Sequence, residues 1–180
     1  MVLIVIGLIL GGGIGLIVLL GMDTHLVQDV AAVFSSEDNT GIGSLSPDFV
    51  LKSLNGESVS LSKYLGKPIV INFWATWCNP CRYEMPLLES YYENYSNEMV
   101  ILAVNLQQSE KDVATFSNEL GLTFPILLDV EGSVNKLYQV QGLPTTYFVD
   151  REGHIKAVHI GTLGESQLVN YLGKIGISDD

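Results

Sequence analysis

The chain has 180 residues, 47% of them apolar, and a formal net charge of −11 from 20 acidic and 9 basic side chains. That length and apolar fraction suit one domain with its own core plus an appendage. So acidic a chain lacks the basic surface that tracks phosphates, which argues against nucleic acid as a partner, and its two cysteines are too few for a disulfide-stapled framework.

Residues 1–22, "MVLIVIGLILGGGIGLIVLLGM", carry no charged side chain. As a helix they span roughly the 30 Å hydrocarbon core of a bilayer, and they predict an uncleaved, single-pass membrane anchor. A cleavable signal peptide would want a basic start and a small-x-small cleavage site, and neither is clear. Gly7, Gly11 and Gly15 fit helix packing better than a dinucleotide loop, which needs a preceding strand and a soluble βαβ unit. No cysteine precedes Cys78, so no lipid acceptor is present. The first basic side chain is Lys52, and the acidic stretch after the anchor (Asp23, Asp29, Glu37, Asp38) is easy to export, so the soluble part is expected outside the cytoplasm. Residues 23–44, which hold "LVQDVAAVF" and most of "SSEDNTGIGSLS", predict a polar linker with a short helix in it; the globular domain is expected over 45–177.

The domain opens with "DFVLKSL" and "ESVSL" around "NG", which predicts a β-hairpin on a two-residue turn. "KPIVINFWA" is a continuous apolar run suited to a strand buried on both faces, and "PLLESYYENY" after the cysteines has helical spacing. "MVILAVNL" repeats the buried-strand pattern, and "EKDVATFSNELG" sets Val113, Phe116 and Leu120 on one helical face with Gly121 as the stop. "FPILLDV" predicts a short strand, "SVNKLYQV" a short helix, "TTYFVD" and "HIKAVHI" strands around the turn "REG", and "ESQLVNYLGKI" a final amphipathic helix. The alternation implies an α/β domain whose central mixed sheet has helices on both faces.

Both cysteines lie in "FWATWCNPCRYEMP", residues 73–86. A staple across two intervening residues closes almost no loop and so adds little stability. A zinc site needs two further ligands, and His25, His154 and His159 are remote in sequence, the last two flanking a predicted edge strand. No metal and no cofactor are expected. Redox chemistry fits better: at the first turn of a helix the Cys78 thiolate faces unpaired N–H groups and the positive end of the dipole, which favours Cys78 as nucleophile. Cys81, one turn later, points back as the resolving thiol, and Pro80 stiffens the loop between them.

With "NFWATWCNPC", Pro86 five residues after the second cysteine, and "GLPTTYFVD", residues 45–177 resemble the thioredoxin superfamily. The nearer resemblance is to its membrane-anchored, extracytoplasmic thiol–disulfide oxidoreductases of the TlpA and ResA type, AhpC/TSA-like redoxins. The resemblance implies a thioredoxin fold in which Pro144 is cis and lies beside the cysteines. It also implies that the Leu143 backbone receives an extended substrate segment, with Trp77, Asn79 and Pro80 on the substrate side. Trp74 is expected in the core. Where cytoplasmic thioredoxins carry a buried aspartate this chain has Asn72, which cannot exchange a proton near neutral pH. Glu84, at i+3 from Cys81, is expected to assist the thiols, its pKa raised by partial desolvation. The implied partners are protein thiols and disulfides: an upstream membrane electron donor and an extracytoplasmic target.

Two rivals stay open. A thiol peroxidase is suggested by "SPDFVLKSLNGESVSLSKYLGK", which resembles peroxiredoxins, although Ala75 stands where their Thr-x-x-Cys places threonine. A copper carrier of the Sco type is the other, although that branch spaces its cysteines by three and adds a histidine. Reduction of partner disulfides, as in cytochrome c maturation, is the expected direction, with oxidation still open.

Overall fold

A computed structural model describes residues 40–178. The expected anchor over 1–22 and the linker to residue 39 lie outside the described residues; among those described, no helix is long and apolar enough to cross a membrane. The last linker residues belong to the folded domain: Thr40 is buried, the Gly43 N–H donates to the Ile155 carbonyl at 2.7 Å, and the Ile155 N–H donates to Ser44 at 2.9 Å.

Seven strands form one mixed sheet: β1 Val50–Ser53, β2 Ser58–Ser60, β3 Ile69–Trp74, β4 Val100–Leu106, β5 Ile126–Asp129, β6 Thr145–Val149 and β7 Ile155–Ile160, in the spatial order β2-β1-β5-β4-β3-β6-β7. Strands β3, β4 and β5 run parallel because each is joined to the next through a helix, α1 Asn79–Tyr95 and α2 Glu110–Leu120. The other pairings are antiparallel. Two further helices, α3 Ser133–Leu137 and α4 Glu165–Lys174, complete the described part.

Every residue of β3 is buried, as its unbroken apolar run predicts. Its side chains alternate between two cores. Val70 and Trp74 pack with Cys81, Met85 and Leu88 of α1, Val113 and Phe116 of α2, and Leu168 and Leu172 of α4. Ile69, Ile71 and Phe73 pack on the opposite face with Val134 of α3, Tyr138 and Val59 of β2. Helices therefore cover both faces of the thioredoxin-like sheet. Phe73 is fully buried, with its ring centroid 5.3 Å from that of Tyr138 and 5.9 Å from that of Tyr147. Phe73→Ala is expected to cost about 3–5 kcal/mol of stability, read as a lowered urea midpoint.

The hairpin forms, but not on a two-residue turn. Val50 pairs with Ser60, Leu51 with Val59 and Lys52 with Ser58, and the Ser53 N–H donates to Glu57, which leaves Leu54, Asn55 and Gly56 as the loop. Gly56 has φ +80, the left-handed residue that closes a three-residue loop, and Asn55 is not left-handed, as a type I′ turn requires. The apolar pattern decides the register. Leu51 and Val59 face the same core only in this pairing, and a turn shorter by one residue would set Val59 against Lys52.

Candidate active site

Strand β3 aims its C-terminal end at the site, and the loop Ala75-Thr76-Trp77 carries the chain to Cys78. Cys78 caps α1: its backbone is extended (φ −82, ψ 99), its Sγ accepts from the Cys81 N–H at 3.2 Å, and Pro80 occupies the first turn, where a missing N–H leaves no bond unmade. Cys78 and Cys81 form a disulfide, S–S 2.07 Å, with Cα atoms 5.3 Å apart. Both cysteines are buried, Cys81 wholly and Cys78 with 4% of its surface exposed, so Cys78 is the more accessible of the two. Asn79 and Pro80 are exposed between them. The helix continues through Pro86, which is exposed.

The two tryptophans part company. Trp74 is buried with its ring 4.8 Å from that of Phe116, whose other neighbour is the Arg82 guanidinium at 4.4 Å. Trp77, in the loop one residue before Cys78, is 66% exposed, and Tyr83 on α1 is 79% exposed.

Glu84 lies one turn below Cys81 on α1, where i and i+3 share a face, and it is fully buried. Its Oε1 accepts from Asn72 Nδ2 at 2.8 Å, and its Oε2 accepts from the Leu163 N–H at 2.9 Å. Asn72 Nδ2 also donates to Thr146 Oγ1 at 2.9 Å, so the position that resembles the thioredoxin aspartate holds the carboxyl in place. Burial pushes the Glu84 carboxyl up to about 7, against the opposing pull of the Leu163 N–H and the Asn72 amide. A carboxyl that titrates near neutral pH thus sits one turn from Cys81.

The Leu143–Pro144 peptide is cis. Pro144 is buried immediately before β6, whose Thr145 pairs with Phe73 of β3, so it stands at the strand end from which the chain runs to Cys78. Leu143 packs, partly buried, against the cluster that contains both cysteines. His154 lies immediately before β7 and His159 within it, at one edge of the sheet. Among the described residues no group of three or more His, Cys, Asp or Glu side chains is placed to hold a metal ion.

Sequence reasoning missed Gln108. Its Oε1 accepts from the Thr76 N–H at 2.7 Å, its Nε2 donates to Thr76 Oγ1 at 2.7 Å, and Asn105 Nδ2 braces the same Oε1 at 3.0 Å. The preceding residue, Gln107, adopts φ +51, a left-handed backbone uncommon for a non-glycine residue. A glutamine after a strand carries no signal that it will clamp a loop some thirty residues earlier. Gln108→Ala removes both bonds to Thr76. It is expected to raise the hydrogen-exchange rate of the Thr76 amide about tenfold, the equivalent of one to two lost hydrogen bonds.

The sequence model of the AhpC/TSA family matches residues 42–158. The thioredoxin-like protein YneN of Bacillus subtilis (strain 168) is 44% identical over 138 residues, 74% of this chain and 81% of its own length. Thiol-disulfide oxidoreductase ResA of Geobacillus kaustophilus (strain HTA426) is 40% identical over 143 residues, 79% of this chain and 82% of its own length. The crystal structure of StoA from Bacillus subtilis is similar to this chain with a TM-score of 0.61 and 32% identity, covering 69% of this chain and 96% of StoA. A Cys-x-x-Cys disulfide at the head of a helix, a cis-proline at the neighbouring strand end and these relatives lead to one assignment: the chain belongs to the AhpC/TSA family, as a thioredoxin-like thiol–disulfide oxidoreductase.

Proposed function

We propose that the chain reduces disulfides in extracytoplasmic proteins, drawing electrons from a membrane donor while residues 1–22 tether it to the bilayer, as in cytochrome c maturation. The single observation that carries this reading is the buried Cys78–Cys81 disulfide with the Glu84 carboxyl buried one turn behind it. The start of α1 draws Cys78 toward the thiolate. An ionised Glu84 works against a second negative charge and keeps Cys81 a thiol until it must attack. Strong oxidants of this chemistry owe their potential to a stabilised reduced form, and a buried carboxylate behind the sulfurs acts in the opposite sense. That favours reduction of partners.

In the exchange step the Cys78 thiolate attacks a partner disulfide, forms a mixed disulfide and expels the partner's other sulfur as thiolate. Cys81 then gives its proton to Glu84 and attacks Cys78 Sγ, which closes the Cys78–Cys81 bond and releases the partner reduced by two electrons. Substrate contact through Trp77, Asn79, Pro80 and the Leu143–Pro144 segment is supported by the exposure of Trp77, Asn79 and Pro80 and by the placement of the cis peptide. Against peroxide reduction, Ala75 is buried three residues before Cys78 and offers no hydroxyl.

Equilibration of the full chain with glutathione redox buffers tests the direction. A potential more negative than about −230 mV is expected, whereas one near −120 mV, the range of strong disulfide donors, overturns reduction in favour of oxidation. Consumption of peroxide faster than by a free thiol would favour the peroxidase instead.

A further inference from the structure

The residues around Glu84 extend farther than the carboxyl's own hydrogen bonds. Asn72 on β3 pairs with Thr146 on β6, and Thr146 pairs with His159 on β7, so the three lie on one rung across the sheet and share its α1 and α4 face. His159 is half-exposed, with Nε2 3.2 Å from the Thr162 carbonyl oxygen and Nδ1 3.4 Å from the Tyr171 hydroxyl. A carbonyl only accepts, so Nε2 carries the proton, and Nδ1 meets a hydroxyl able to donate or accept. The pair of contacts is therefore satisfied whether the ring is neutral or charged.

The Thr162 carbonyl and the Leu163 N–H are the two ends of one peptide group. That group accepts from His159 at one end and donates to Glu84 Oε2 at 2.9 Å at the other. Hydrogen bonds in series polarise one another, and a peptide held at its oxygen has its N–H fixed in direction.

We propose that His159 is a positioning residue for Glu84: it holds the Thr162–Leu163 peptide so that the N–H points at the buried carboxyl and strengthens that bond. The inference rests on the reading of Glu84 as the proton acceptor. The groups recorded against Glu84 are the Asn72 amide, which bridges it to Thr146, and the Leu163 peptide, all neutral, with Cys81 one turn away on its own helix. Those against His159 are the Thr162 carbonyl and the Tyr171 hydroxyl of α4, with Lys174 5.1 Å over the Tyr171 ring. A donor aimed at the carboxylate favours its ionised form, so loosening the donor lets the carboxyl keep its proton to higher pH.

The test follows the carboxyl directly, by a 13C titration of the Glu84 side chain in the full chain. His159→Leu is expected to move the Glu84 midpoint upward by about half a pH unit or more, the size of one weakened hydrogen bond to a charged group. His159→Gln, whose amide can donate to the same carbonyl, is expected to return most of that shift. Tyr171→Phe, which frees Nδ1 but keeps the imidazole, is expected to shift it less and in the same direction. A midpoint within about 0.2 unit of the parent in His159→Leu, or equal shifts in the Leu and Gln variants, overturns the proposal. The pH profile of disulfide exchange is read in the same variants. A moved carboxyl midpoint with an unmoved profile leaves the positioning role standing and removes Glu84 from the reaction.

Discussion

Cys78→Ser is expected to lower the rate of disulfide exchange by at least about a thousandfold, to the level of the protein without a nucleophile, because serine at neutral pH holds no anion to attack sulfur. Cys81→Ser is expected to behave differently. It keeps the first step, since Cys78 is the more accessible of the two cysteines, but it cannot close the second, so the partner stays bound through Cys78. Expressed as the full chain, this variant should accumulate a covalent adduct that dithiothreitol dissolves, and mass spectrometry of the adduct identifies the partner. Trapping by Cys78→Ser and not by Cys81→Ser would exchange the roles of the sulfurs. Absence of any adduct at a partner concentration that the parent chain reduces would overturn the two-step scheme.

Glu84→Gln is expected to separate from the parent chain above pH 7 and to match it near pH 5. The carboxyl is pushed up to about 7 by burial, so below that pH it is neutral like glutamine, and above it only the parent holds a base beside Cys81. General-base catalysis is worth roughly 10²–10⁴-fold, and at least tenfold slower resolution is expected at pH 8, with the inflection near pH 7 lost from the profile. Stability moves the other way. A carboxyl that holds its proton more tightly folded than unfolded contributes stability fully below about pH 4.5; that contribution is lost as pH rises to about 7. Above pH 7 the parent carries a buried charge that the variant lacks. Glu84→Gln should then be the more stable protein at pH 8, by up to about 3 kcal/mol, and nearly equal at pH 4.5, read as urea midpoints at the two values. An unchanged rate profile with this stability difference would leave Glu84 a buried carboxyl without a part in the chemistry.

Much of this arrangement is legible from residue order, because burial on a β-strand and on a helix have different periods. The unbroken apolar run of β3 and the spacing of Val113 and Phe116 each place their side chains where the two cores are found. The cysteines follow from their separation of three at the start of a helix, and Glu84 from its distance of three from Cys81. What escapes is whatever depends on long-range backbone. One of the two donors to Glu84 is the N–H of Leu163, seventy-nine residues away, and any residue but proline would supply it. The clamp by Gln108 rests on a left-handed residue just before it. The hairpin turn is missed for a third reason: "NG" is a strong local signal, but the partnership of Leu51 with Val59 outweighs it.

The amide of Asn72 places its nitrogen between Glu84 and Thr146 and leaves its Oδ1 buried without a hydrogen-bond partner among the described residues. An amide is nearly the same shape either way round, so half a turn about its last bond trades donor for acceptor with little change in packing. An ionised neighbour is met by the nitrogen; a protonated neighbour would find the oxygen waiting. Aspartate in that place has no such second face and would contend with Glu84 for a single proton, as paired carboxylates do. Asparagine in that place can therefore meet either occupancy of the acid beside it without entering the titration itself.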